Sequence, residues 1–197
     1  MNISTSFLFR NEPGRIAGPD GSVQPSSRNE PVPPNCHWRV RLIHDYWRLK
    51  QAERLRRADG GGLPAYQDFD LHEVSGLVPY IWLIDVAQSP VRFRFHSVGD
   101  VIVMWAGEDN TGRWFDEIWP TYDPVVFIDL VKSRRPSWCR GPSTFRPARR
   151  EYEIERVRLP LASDGTNVDM ILALSVFYDR EGREILPGES RLSILPC

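Results

Sequence analysis

Residues 79–98 read PYIWLIDVAQSPVRFRFHSV, and the order of elements on either side of this stretch decides the fold. Two runs rich in β-branched and aromatic residues, 79–87 and 91–98, flank a short Gln88-Ser89-Pro90 turn, the pattern of an antiparallel hairpin. In the second run Val91, Phe93 and Phe95 alternate with Arg92, Arg94 and His96, which predicts one apolar face and one solvated face. Downstream the period turns helical, through GDVIVMWAG (99–107), WFDEIW (114–119) and YDPVVFIDLVKSRR (122–135). In the last of these Asp123 is placed to cap, and Pro124 takes the favoured first helical position. PSWCRG (136–141), EYEIERVRLPLA (151–162) and VDMILALSVFYD (168–179) then read as three more strands, the last two joined by the turn Ser163-Asp164-Gly165-Thr166. Two strands, several short helices and three strands make an α+β domain with an antiparallel sheet.

Within the helical connection, GEDNTGRW (107–114) comes close to a phosphate-binding loop, with two glycines five apart and then a cation. Such a loop needs a lysine and a hydroxyl at its end, where backbone N–H groups cup the phosphates. Arg113 and Trp114 stand there instead, and Glu108 and Asp109 would repel a polyanion. The glycines are therefore expected to serve turns with positive φ, with Asn110 or Thr111 capping a short helix that begins near Trp114.

Outside residues 63–180 the composition changes. Residues 1–36, rich in Pro, Gly, Ser and Asn, lack a sustained apolar period and are expected to form a flexible arm. From Trp38 to about Arg57, Leu42, Ile43, Tyr46, Trp47, Leu49 and Ala52 recur at helical spacing, predicting an amphipathic helix that ends at the glycines 60–62. This helix and its Gly-rich linker occupy 37–62, and residues 181–197 form a C-terminal tail. With 26 acidic and 25 basic residues, the formal charge of -1 provides no field to draw in nucleic acid. No apolar run reaches the roughly 20 residues that span a bilayer, so no membrane insertion is expected. Three scattered cysteines make neither a disulfide framework nor a zinc cluster, consistent with a cytoplasmic protein.

The chain resembles the PAS domain superfamily, and within it a family of small free-standing bacterial PAS proteins. The resemblance runs from about Trp38 to Tyr178 and rests on DYWR, LPAYQDFD, LVPYIWLIDV, FRFHSVGD, GEDNTGRWFDEIW, a helix ending in RRP, EYEIERVRLPLASDG and VDMILALSVF, in that order. Position 66 departs from it, since tyrosine stands where arginine is more usual. The resemblance implies a five-stranded sheet in spatial order 2-1-5-4-3 with the helices on one face, and a sensory or interaction role. It leaves the cofactor unknown, with haem and covalent flavin not expected. The histidine by which such domains hold haem has no counterpart in YDPVVFIDLVKSRR, and NTGRWFDEIW lacks the cysteine that bonds flavin.

Nothing in the chain nominates a catalytic nucleophile, and the four histidines lack metal-site spacing. The reading is therefore non-enzymatic, with a small cleft enzyme and a purely structural dimerisation domain as alternatives. Aromatic residues offer the candidate ligand pocket: Phe93, Phe95, Trp105, Trp119, Tyr122, Tyr152 and Met170, most of them expected to be core. In the last strand Met170, Leu172, Leu174 and Val176 share one face and Ile171, Ala173 and Phe177 the other, so both faces need cover. The leading helix is the natural lid, either on its own sheet or across a homodimer, with Leu42, Tyr46, Trp47, Leu49, Trp82 and Phe177 as packing candidates. An output domain after the last strand is not expected, so a signal is expected to pass to a separate downstream protein, prompted by a small-molecule ligand or a partner.

Overall fold

A computed structural model of the chain describes residues 15–17, 23–25, 31–57, 62–120, 123–142 and 152–186. The hairpin read from the sequence is β1 (Ile81–Gln88) and β2 (Val91–Val98), paired antiparallel from Trp82 with Val98 to Gln88 with Val91. Three short helices follow: α2 (Asp100–Ala106), α3 (Phe115–Ile118) and α4 (Val125–Ser133). The chain then returns as β3 (Ser137–Pro142), β4 (Glu153–Leu161) and β5 (Met170–Tyr178). All pairings are antiparallel, and the five strands lie in the order β2-β1-β5-β4-β3, the 2-1-5-4-3 arrangement expected. The leading helix is α1 (Trp38–Arg56).

Strand alternation sorts the sheet into two faces. Trp82, Ile84, Phe93, Phe95, Ile171, Ala173 and Phe177 face α2–α4, as the stack of Trp105 on Phe177 and the edge contact of Phe127 with Trp82 show. Ile81, Leu83, Leu172, Leu174, Val157 and Leu159 face the other way and are all buried. Their cover is α1, which turns Val40, Ile43, Tyr46 and Trp47 inward. Trp47 donates its indole N–H to the carbonyl of Pro160 at 2.9 Å. Pro160 lies beyond the last residue that β4 pairs with β3, where the missing N–H breaks no ladder and the carbonyl is free to accept.

The lid thus packs on its own sheet, and its length fits. From His37 beside Glu155 to Arg54 on the Ser163 carbonyl, α1 advances 17 residues, about 26 Å at a helical rise. Glu155 to Ser163 is eight residues of nearly extended chain, again about 26 Å. Burying four large side chains at about 1.5–3 kcal/mol each makes α1 a principal part of the fold rather than an appendage. Its outward side also carries apolar groups: Trp38, Leu42, Leu49 and Leu55 are exposed.

The 107–114 loop is a turn, as its sequence predicts, with Gly107 and Gly112 at φ 84° and 80°. Gly112 N–H donates to the Phe95 carbonyl at 2.7 Å and Phe95 N–H to that of Arg113 at 3.0 Å, so the loop covers the outer edge of β2. The expected cap differs. Trp114 occupies the cap position of α3 without a side-chain bond, while Asp109 accepts from Thr111 N–H and Asn110 accepts from Arg113. The side chains of Asp109 and Asn110 are consumed in closing the loop, before the helix begins. At α4 the expected cap is displaced by one residue: Pro124, expected at the first helical position, is itself the cap residue because its carbonyl takes the first helical bond, from Ile128 N–H at 3.0 Å, and Asp123 just ahead of it accepts from Val125 N–H at 3.0 Å.

Both ends of the chain hold more structure than their composition suggests. Arg15–Ala17 pairs antiparallel with Val23–Pro25 inside the arm expected to be flexible, and Val32 and Cys36 pack against the core. The rest of residues 1–30 lies outside the described residues. In the tail, Ile185 N–H donates to the Phe177 carbonyl at 2.9 Å, which fixes Glu184 against β5.

Candidate functional site

The sequence EIERVR in β4 places Glu155 and Val157 on the α1 face and Arg156 and Arg158 beneath the helices. Burial is the unusual part: Arg156 is 8% exposed and Arg158 5%. Guanidinium groups stay charged at any physiological pH, and a buried charge is costly unless it is paired. Arg156 donates Nε to Ser175 Oγ at 3.0 Å and lies 5.1 Å from the centre of the Trp82 ring. Arg158 lies 5.2 Å from the centre of the Phe127 ring and makes two long contacts through Nη1, to Ser137 Oγ at 3.4 Å and Cys139 Sγ at 3.7 Å. Its buried Nε has no hydrogen-bond partner among the described residues. Two cations, two fully buried serine hydroxyls and two aromatic faces therefore meet between the sheet and α4.

The pocket residues proposed from sequence fall into separate groups. Phe93 and Phe95 join Phe115, Phe127 and Trp119 in a ring cluster, with centroids 4.5 Å apart for Phe95 and Phe115 and 5.3 Å for Phe93 and Phe127. This cluster is core that packs α3 and α4 on the hairpin. Trp105 and Tyr152 contact each other, and Trp105 stacks on Phe177 beneath α2. Met170 joins neither group, because alternation sets it with Leu172 and Leu174 on the α1 face. Tyr122 lies outside the described residues. Of the packing candidates, Tyr46 and Trp47 seal the sheet from α1, Trp82 and Phe177 pack α4 and α2 on the opposite face, and Leu42 and Leu49 point outward. The two arginines were missed, although their i, i+2 spacing in a strand expected inside the sheet, between strands 5 and 3, put both on one covered face.

On the far face of the same strand, Glu155 is 1% exposed and accepts three bonds. His37 N–H (2.8 Å) and the Trp138 indole (3.0 Å) donate to Oε1, and the Tyr178 hydroxyl (2.7 Å) donates to Oε2. Burial and then the bond to this carboxylate hold the Tyr178 hydroxyl far above the usual phenol range. His37 also caps α1: its Nδ1 accepts from Arg39 N–H, so Nε2 carries the proton given to Glu184 at 3.1 Å. Arg39 pairs with Glu184 and stacks 4.4 Å from the centre of the Tyr80 ring. The start of α1 is thereby fastened to β4 through Glu155 and to β5 through Glu184.

A third polar group decorates the hairpin: Asp85 accepts from Arg94 at 2.7 Å and bonds His96 at 3.0 Å, with both partners nearly half exposed. Such exposed pairs contribute at most about 1 kcal/mol. Among the described residues there is no group of three His, Cys, Asp or Glu side chains placed to hold a metal, and no helix long and apolar enough to cross a membrane. Neither a protein-family model nor a curated protein matches the sequence.

Proposed function

We propose that this protein is a PAS-type sensory or adaptor module of the cytoplasm, which takes up a small ligand beneath α2–α4 and signals by changing its association with another chain. The observation that carries this reading is the division of β4: Arg156 and Arg158 are buried beneath α2–α4, while Glu155 holds the start of α1 on the opposite face. A ligand that moves the strand by a fraction of an ångström loads the α1 fastening directly. Each ligand shifts the balance of α1 packings only by its difference in affinity for them. Association then proceeds through the outward stripe Trp38, Leu42 and Leu49, which shares one helix face at spacings of four and seven, in a two-fold homodimer or against a downstream protein.

Native mass spectrometry of the full chain purified from its own host tests this reading, because one spectrum reports subunit number and any retained small molecule. A dimer or a bound molecule is the expected result. A bare monomer, unchanged by host extract, would overturn it and favour a structural domain with a filled core.

A further inference from the structure

We infer that the cleft ligand is a small organic acid whose carboxylate sits on Arg158, with its carbon skeleton against Trp82 and Phe127. This rests on the reading of the cleft as a ligand site and names the chemistry of its occupant. Arg158 is 95% buried by its 5% exposure, carries a permanent charge, and has no carboxylate partner among the described residues. Natural interiors rarely keep such a group, because desolvating it is worthwhile only when a counter-charge arrives. The side chain is also poised. Phe127 covers its face and Ser137 and Cys139 engage Nη1, so the opposite edge, where the buried Nε has no hydrogen-bond partner among the described residues, is the one left to bind.

That edge matches a carboxylate, whose two oxygens accept parallel bonds from Nε–H and Nη2–H in one plane. The neighbouring groups narrow the class further. Ser137 and Ser175 supply buried hydroxyls at either side, and Arg156 adds a second positive charge two residues along the strand, roughly 7 Å away at β spacing. With Arg156 Nε already on Ser175, a single negative charge against Arg158 is the better match than a doubly charged phosphate. Trp82 and Phe127 make the walls apolar, so a short aliphatic or aromatic acid fits better than a polyhydroxylated one.

The test is thermal denaturation and calorimetric titration of the full chain at constant ionic strength and pH 7. The probes are acetate, butyrate, succinate, benzoate and phenylacetate, the neutral amides of the same acids, and inorganic phosphate. At least one acid is expected to raise Tm saturably by about 3 °C or more, and its amide to bind at least about tenfold more weakly. Arg158→Met is expected to abolish that response while raising Tm of the ligand-free protein by a few degrees, since an unpaired buried charge gives way to an apolar chain of similar length. Arg158→Lys keeps the charge but loses the fork, and is expected to weaken acid binding about tenfold or more without loss of fold by circular dichroism.

A structural arginine would behave oppositely: the Met variant would melt lower and no acid would shift either protein. That result overturns the inference, as does stabilisation by phosphate alone. Equal binding of acids and amides, retained in Arg158→Met, sinks the acid class but leaves the ligand-sensing reading standing. If no probe binds and the host-purified chain carries no small molecule, both fall.

Discussion

Gly99 shows how much a single position fixes. Its φ of -69° suits any residue, yet a Cβ there would lie 2.5 Å from the carbonyl oxygens of Val78 and Pro79. Gly99 N–H also donates to the Ile81 carbonyl at 2.8 Å, so the entry to α2 is pressed against the start of β1. Gly99→Ala is expected to cost about 3 kcal/mol or more, read as a lower urea midpoint with unchanged slope. Tyr46 gives a prediction in pH. Burial and then its bond to Glu73 push the hydroxyl up to about 12. Above about pH 10 the unfolded chain gives up this proton while the folded chain keeps it, so stability falls as pH rises from 10 towards 12. Tyr46→Phe should make that limb shallower, with Tyr178 supplying the slope that remains, measured by urea titrations at pH 9, 10 and 11. A variant with the wild-type slope would show that Tyr46 does not govern it. At this scale the sequence was only partly legible. Arg92 and Arg94 alternate with phenylalanines just as Arg156 and Arg158 alternate with apolar residues. The first pair is on an edge strand and reaches the carboxylates of Asp116, exposed, and Asp85, partly buried, whereas the second is on a strand covered from both sides. The pattern is the same, and only the position of the strand in the sheet separates a solvated arginine from an enclosed one.

Elements were easier to read than residues, because periodicity extends over many positions. The five strands, the helical connection and the turn at 107–114 followed from alternation, helical spacing and the placing of glycines. Spatial order came from the family resemblance, since no residue pattern states which strands lie side by side. The capping of α3 was misread because side chains that can cap a helix can equally close the turn before it. The attachment of α1 yields the prediction that belongs here. Trp47→Ala removes a buried indole and its bond to Pro160, and is expected to cost about 3–5 kcal/mol. Glu155→Ala strands the Trp138 and Tyr178 donors and releases the His37 N–H, and is expected to cost about 1–3 kcal/mol. Hydrogen exchange distinguishes the two. The Glu155 variant should speed exchange at the start of α1 while the end near Arg54 stays protected; uniform acceleration along α1 would refute an anchor at that point.

For the molecule as a whole, two opposed faces of one sheet are both occupied, by α2–α4 on one side and α1 on the other, and among the described residues an apolar stripe is exposed on the outside of α1. Leu42→Asp combined with Leu49→Asp should therefore leave Tm within a few degrees, because both side chains are already exposed. Self-association, if it uses that stripe, should weaken at least about tenfold in sedimentation velocity. Undiminished association would move the interface elsewhere. The build of β4 also bears on how such a protein can diversify. Arg156 and Arg158 in this strand face α2–α4, while Glu155 between them and the start of the strand holds the helix α1. On the proposed reading, substitutions at the two arginines would change the chemical cue and leave the fastening of the helix intact, so that one scaffold could be reassigned through a handful of changes.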